Sequence, residues 1–237
     1  MRKHRTHEVH PRVKETNTQH ERVIDTFSGR LERRALHWLA GRLPDWVTPD
    51  MLTVVSFASA VVIATSYAFS GQTSWLLWAA CAGFVINWFG DSLDGTLARF
   101  RHIERPRYGY FLDHSVDAAS ETMIFIGIGF SGYVRMEIAL VALVGYLLVS
   151  LYTTLSIYVT GQFKISYAYL GPTEIRLIAI LASVWVYFDS SHFVALPFGN
   201  FTFFELITLG LIVLFFCAFV FSTIGQITRL SRTDLSH

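Results

Sequence analysis

Six apolar stretches, broken by short polar connections, constrain this chain more than anything else in it. They cover residues 51–70, 75–90, about 109–132, 136–160, 172–188 and 201–225. A backbone placed in hydrocarbon must satisfy its own hydrogen bonds, so such stretches become helices, each needing about 20 residues to cross. Of the 237 residues, 52% are hydrophobic and 16% charged, too apolar for an ordinary soluble domain. The expected fold class is all-α: a polytopic membrane protein with six transmembrane helices and an N-terminal juxtamembrane amphipathic helix. There is no internal repeat.

Residues 1–20 are polar, lack an apolar core and read as a disordered tail rather than a cleavable signal peptide. Their histidines are too irregularly spaced for a metal site. Residues 21–47 read as an interfacial amphipathic helix with its connection. Val23, Phe27, Leu31, Ala35, Leu39 and Leu43 form a stripe, with arginines and Trp38 beside it. Packing on the protein's own cytosolic face is an equal alternative, and both can hold. Residues 48–228 form the membrane domain and 229–237 a cytosolic tail. Thr48, Pro49 and Asp50 start the first span as N-cap, first helical residue and first-turn acid. The second span should continue as helix beyond Gly90. Cys81 and Cys217 sit in apolar runs and read as buried or lipid-facing thiols.

Arginine and lysine set the orientation. They crowd before span one, between spans two and three, around the fourth–fifth connection and in the tail; the other side has only Arg135. Both termini therefore face the cytosol, and a bacterial inner membrane is the expected location.

Four carboxylates stand at the cytosolic mouth. If 88–101 is helical, Asp91, Asp94 and Ala98 share a face at i, i+3 and i+7. If 109–120 is helical, Gly109, Asp113 and Asp117 share one at i, i+4 and i+8. Side-by-side packing of the two helices would bring the acids together. Gly95, Ala98 and Gly109 leave room, and Arg99, Arg105 and Arg107 bring anion-binding charge. Carboxylates beside a membrane need compensation. All-oxygen ligands suit Mg²⁺ or Mn²⁺ rather than zinc, and four acids suit two ions about 3.5–4 Å apart. The implied substrate carries phosphate and a lipid part; nucleic acid is not expected.

The stretch Asp91-x2-Asp94-Gly95-x2-Ala98-Arg99-x9-Gly109-x3-Asp113-x3-Asp117 resembles the signature of the CDP-alcohol phosphotransferases, integral membrane enzymes of phospholipid synthesis. All eight fixed positions are present across 27 residues; the spacer after Arg99 is one residue longer than usual. The resemblance implies transfer of a substituted phosphate from a CDP-linked donor to an alcohol, with release of CMP. It implies that Asp91, Asp94 and Asp113 hold Mg²⁺ or Mn²⁺. Asp117 would help hold one ion and act as general base. Gly95, Ala98 and Arg99 would line the nucleotide pocket. A Pro-x-x-x-Thr element, Pro49 and Thr53 here, suggests that Asp50 and Thr53 touch the cytidine side. The family is usually dimeric, so a homodimer is expected.

CDP-diacylglycerol is the expected donor, because the chain is compact. A CDP-choline or CDP-ethanolamine donor with diacylglycerol as acceptor is the alternative, suggested by Trp46-Val47-Thr48-Pro49, Asp113-His114 and Gly171-Pro172-Thr173-Glu174. Lys164, Glu174 and Arg176 are candidates for acceptor binding, with interface anchoring equally open. Arg105 and Arg107 are candidate loop contacts to phosphate. The rival from another class, a carboxylate-lined ion transporter, lacks the broken helices and inverted repeats expected of it.

Overall fold

The computed structural model describes residues 29–160, 172–189, 193–197 and 199–234. The tail 1–20, residues 21–28 of the amphipathic stretch and Lys164 lie outside them. Among the described residues, seven helices and one hairpin follow in order: α1 (Gly29–Ala40), α2 (Pro49–Ser70), α3 (Leu76–Phe100), α4 (Pro106–Phe130), α5 (Met136–Thr160), α6 (Pro172–Phe188), β1 (Phe193–Leu196), β2 (Gly199–Thr202) and α7 (Phe203–Asp234). The fold is all-α apart from the antiparallel hairpin.

Four helices (α2, α3, α5 and α7) are long and apolar enough to cross a membrane. Two expected spans fall short of that description for different reasons. α4 has the length but carries Arg107, Asp113, Asp117 and Glu121 in its first part. α6 has 17 residues, below the roughly 20 of a full crossing. α3 is continuous through Asp91 and Asp94, as expected. The start of the last span differs: residues 201 and 202 belong to β2, and α7 then runs without a break to Asp234, through most of the stretch read as a tail.

The hairpin feeds α7 through a reciprocal cap. Glu205 N–H donates to Thr202 Oγ1 at 3.0 Å, and Thr202 N–H donates to Glu205 Oε2 at 3.1 Å. Glu205 also accepts from Arg135 Nε at 2.9 Å, tying the α4–α5 turn to this end.

α2 is the hub: α3 and α4 both pack along it. A Cβ on Gly90 would lie 2.6 Å from Leu52 O, and one on Gly127 would run into the Ala64 backbone, so only glycine permits these approaches. Polar links stay inside the bundle. Asn87 Nδ2 donates to Ser56 O at 3.0 Å, and Tyr67 Oη lies 2.6 Å from Ser183 Oγ, joining α2 to α6. The main core, including Ile63, Tyr67, Leu77, Phe84 and Ile128, lies away from the aspartates. A second cluster (Leu36, Ala40, Val47, Leu52, Leu93 and Leu97) seats α1 against α2 and α3. Arg101 pins the α1–α2 connection by donating to the carbonyls of Leu43, Pro44, Asp45 and Val47.

Candidate active site

Three of the four aspartates converge. Carboxylate oxygens of Asp91, Asp113 and Asp117 all lie within 4.8 Å of one another. The helices that present them do not pack side by side, as the sequence suggested. α3 and α4 each pack on α2, and their acids reach toward each other across the gap. Like charges at such separation repel, and a shared proton or a nearby cation relieves the repulsion.

Asp94 is held differently. Its Oδ2 accepts from Thr53 Oγ1 of α2 at 2.6 Å, and its Oδ1 accepts from the N–H of Gly95. Thr53 was expected on the cytidine side; here its hydroxyl orients an aspartate, which explains the Pro49-x-x-x-Thr53 spacing equally well. Asp50 pairs with Arg105, whose guanidinium also stacks over Tyr108 at 4.2 Å. That hydrogen bond raises the Arg105 pKa above its ordinary value.

Arg176 gives the largest surprise. A candidate for acceptor binding, it is buried and donates from Nη2 to Asp91 Oδ2 at 2.6 Å. Its Nη1 is buried with no hydrogen-bond partner among the described residues. Glu121, one turn beyond Asp117, interacts electrostatically with both Arg176 and Asp91. Sequence reasoning missed it, although Asp113, Asp117 and Glu121 continue a single i, i+4, i+8 row. His114, the chain neighbour of Asp113, has Nδ1 3.6 Å from Asp113 Oδ2.

Of the remaining candidates, Ala98 is half-buried on the face of Asp91, while Arg99 and Arg107 are exposed. Arg99 Nη2 donates to Thr96 Oγ1 at 3.2 Å. Glu174 stands in the first turn of α6.

The two motif glycines differ from the packing glycines. A Cβ on Gly109 would meet nothing within 4 Å, and one on Gly95 would meet only the Arg99 guanidinium, at 3.4 Å. No backbone crowds either position, so room beside the acids is kept open. Oxygen-only donors, three converging carboxylates and an open cradle together fit a hard divalent cation.

Fold and site thus define an integral helical membrane protein with an acidic cluster at one end of the bundle. The sequence model of the CDP-alcohol phosphatidyltransferase family matches residues 46–216, and the chain belongs to that family. It is 34% identical over 106 residues to the archaetidylinositol phosphate synthase of Pyrococcus horikoshii, covering 44% of this chain and 52% of that protein. It is 27% identical over 97 residues to cholinephosphotransferase 1 of Danio rerio, covering 38% and 25%. The chain thus spans about half or less of the length of these relatives. Its fold resembles the crystal structure of the phosphatidylinositol phosphate synthase of Mycobacterium tuberculosis with CDP-DAG bound. The TM-score is 0.56 at 21% identity, covering 82% of this chain and 92% of that one.

Proposed function

We propose that this chain transfers a substituted phosphate from CDP-diacylglycerol to an alcohol hydroxyl and releases CMP. The observation that carries the reading is the convergence of Asp91, Asp113 and Asp117 within 4.8 Å, beside two glycines that no backbone crowds. In the proposed architecture all six apolar helices cross the membrane. α1 lies along its surface, both termini and the acidic site are cytosolic, and two copies pair.

The reaction is a displacement at phosphorus. The acceptor oxygen bonds to the phosphorus bearing the lipid, the bond from that phosphorus to the CMP oxygen breaks, and the hydroxyl proton leaves to a carboxylate. Asp91, Asp94, Asp113 and Asp117 would hold Mg²⁺ or Mn²⁺, two ions per protomer. Bound there, the ions supply charge neutralisation for the diphosphate and the leaving CMP. Thr53 keeps Asp94 turned to the site. Asp117, one turn deeper along α4 than Asp113, takes the acceptor proton, a contribution of about 10²–10⁴-fold. Gly95 and Gly109 leave space for the nucleotide, with Ala98 and Arg99 lining it. Arg176 offers Nη1 to a phosphate oxygen, which favours a phosphorylated alcohol; Glu174 and Lys164 are the further proposed contributors to acceptor binding.

The similarity to a cholinephosphotransferase supports a second reading, in which CDP-choline or CDP-ethanolamine is the donor and diacylglycerol the acceptor. Protein in nanodiscs, supplied with Mg²⁺ or Mn²⁺ and each donor with a panel of alcohols or diacylglycerol, separates the two by which pair yields CMP. No CMP from any pair, with the protein folded, would refute both.

A further inference from the structure

Glu32 lies on α1, outside the residues that match the family, yet it reaches the two helical turns on which the site depends. Its Oε1 accepts from Trp88 Nε1 of α3 at 2.8 Å and from Thr173 Oγ1 of α6 at 3.0 Å. Trp88 is three residues before Asp91, and Thr173 is three residues before Arg176; each pair is about one helical turn apart. Asp91 and Arg176 are themselves bonded at 2.6 Å. At the site end of the two helices, α3 and α6 are therefore bridged twice, once by the site's own ion pair and once, a turn away, by a carboxylate from a third helix. The seat of α1 is apolar and firm: Leu36 and Ala40 are buried against the cluster that includes Leu93 and Leu97. Glu32 thus speaks from a fixed platform.

A second bridge matters because the first is not permanent under the proposed chemistry. If Asp91 serves a cation, its bond to Arg176 competes with that service, and the first turn of α6 needs another anchor to α3. Thr173 is also the first-turn neighbour of Glu174, so whatever fixes Thr173 fixes the acceptor-side turn of α6.

We propose that Glu32 is a positioning residue: it clamps the first turn of α6 to α3 and so sets the acceptor side of the site, without touching the reacting atoms. Both donors bond the same oxygen, Oε1, so the clamp needs an acceptor rather than a charge. This inference rests on the phosphotransfer reading for its kinetic consequence but not for its structural one.

The test uses the full chain in nanodiscs and two readouts. The first is amide hydrogen exchange at residues 176–179 of α6, whose N–H groups bond the carbonyls of its first turn. Glu32→Ala should speed exchange there about tenfold, the loss expected when an ordinary hydrogen bond is removed. Glu32→Gln, which keeps the carbonyl acceptor, should exchange like the parent. Thr173→Val should mimic Glu32→Ala, and adding it to Glu32→Ala should do little more. The second readout is CMP release. Glu32→Ala should raise the acceptor KM about tenfold, with the donor KM changing less than about twofold, and Glu32→Gln should restore it. Unchanged exchange in Glu32→Ala overturns the clamp. So does an equal rise in both KM values, the mark of a general loosening. If the parent chain releases no CMP, the proposed function falls, while exchange still decides the clamp.

Discussion

The four signature aspartates are not equivalent, and the difference lies in what each side chain touches. Asp91 is held by Arg176, Asp94 by Thr53 and its own helix, while Asp113 and Asp117 face Asp91 across the gap. The bond from Thr53 to Asp94 is short and ends on a charged acceptor, a kind worth about 1.5–3 kcal/mol. Thr53→Val keeps the volume and removes the donor. It should lower kcat/KM for CMP release about tenfold or more, with little change in melting temperature; parental rates would show that Asp94 needs no such orientation. The aspartate spacing was legible in the sequence because i, i+3 and i+4 positions share a helix face whatever surrounds the helix. The Arg176–Asp91 bond was not, because it depends on how α6 docks on α3, and 85 residues separate the partners. Glu121 lay in plain view as the next member of the α4 row but outside the signature.

Glycine does opposite work at the scale of helices. Gly90 and Gly127 let α3 and α4 settle on α2, whereas Gly109 sits at the mouth with nothing near its absent side chain. Gly127→Ala should destabilise the protein by about 1–3 kcal/mol, because its methyl meets backbone rather than a movable side chain. Gly109→Ala should melt like the parent and raise the donor KM. Equal melting of both variants would remove the distinction. The apolar stretches were readable from composition, and the continuation of α3 through its aspartates followed from the spacing. The hairpin was not anticipated, since Phe201 and Thr202 read as the start of an apolar helix. The reciprocal cap between Thr202 and Glu205 marks the true start of α7, and that Thr-x-x-Glu pattern was available in the sequence. The idea that α3 and α4 pack together failed because α2, with its small serine and alanine residues, is the better surface for both.

For the whole molecule, the arrangement follows from where charge is tolerated. The acids, Arg99, Arg101, Arg105 and the start of α6 gather at one end, and the hairpin with the Arg135–Glu205 pair closes the other. The expected sidedness is directly measurable in intact cells. In a chain with Cys81 and Cys217 replaced, Asn200→Cys should react with a membrane-impermeant thiol reagent from outside. Ser231→Cys should react only after the cells are opened. The reverse pattern would put the acids on the wrong side for a cytosolic nucleotide.

The converging carboxylates are proposed as a cation-dependent phosphotransfer site in which Asp117 takes the acceptor proton. The most direct measurement compares CMP release with donor binding in Asp117→Asn and Asp91→Asn, each with Mn²⁺ or with chelator. Asp117→Asn should lose turnover by at least about 10²-fold while still binding the CDP-linked donor in a Mn²⁺-dependent way. Asp91→Asn should lose both turnover and Mn²⁺-dependent binding. Parental turnover by Asp117→Asn, or full turnover of the parent in chelator, would contradict it.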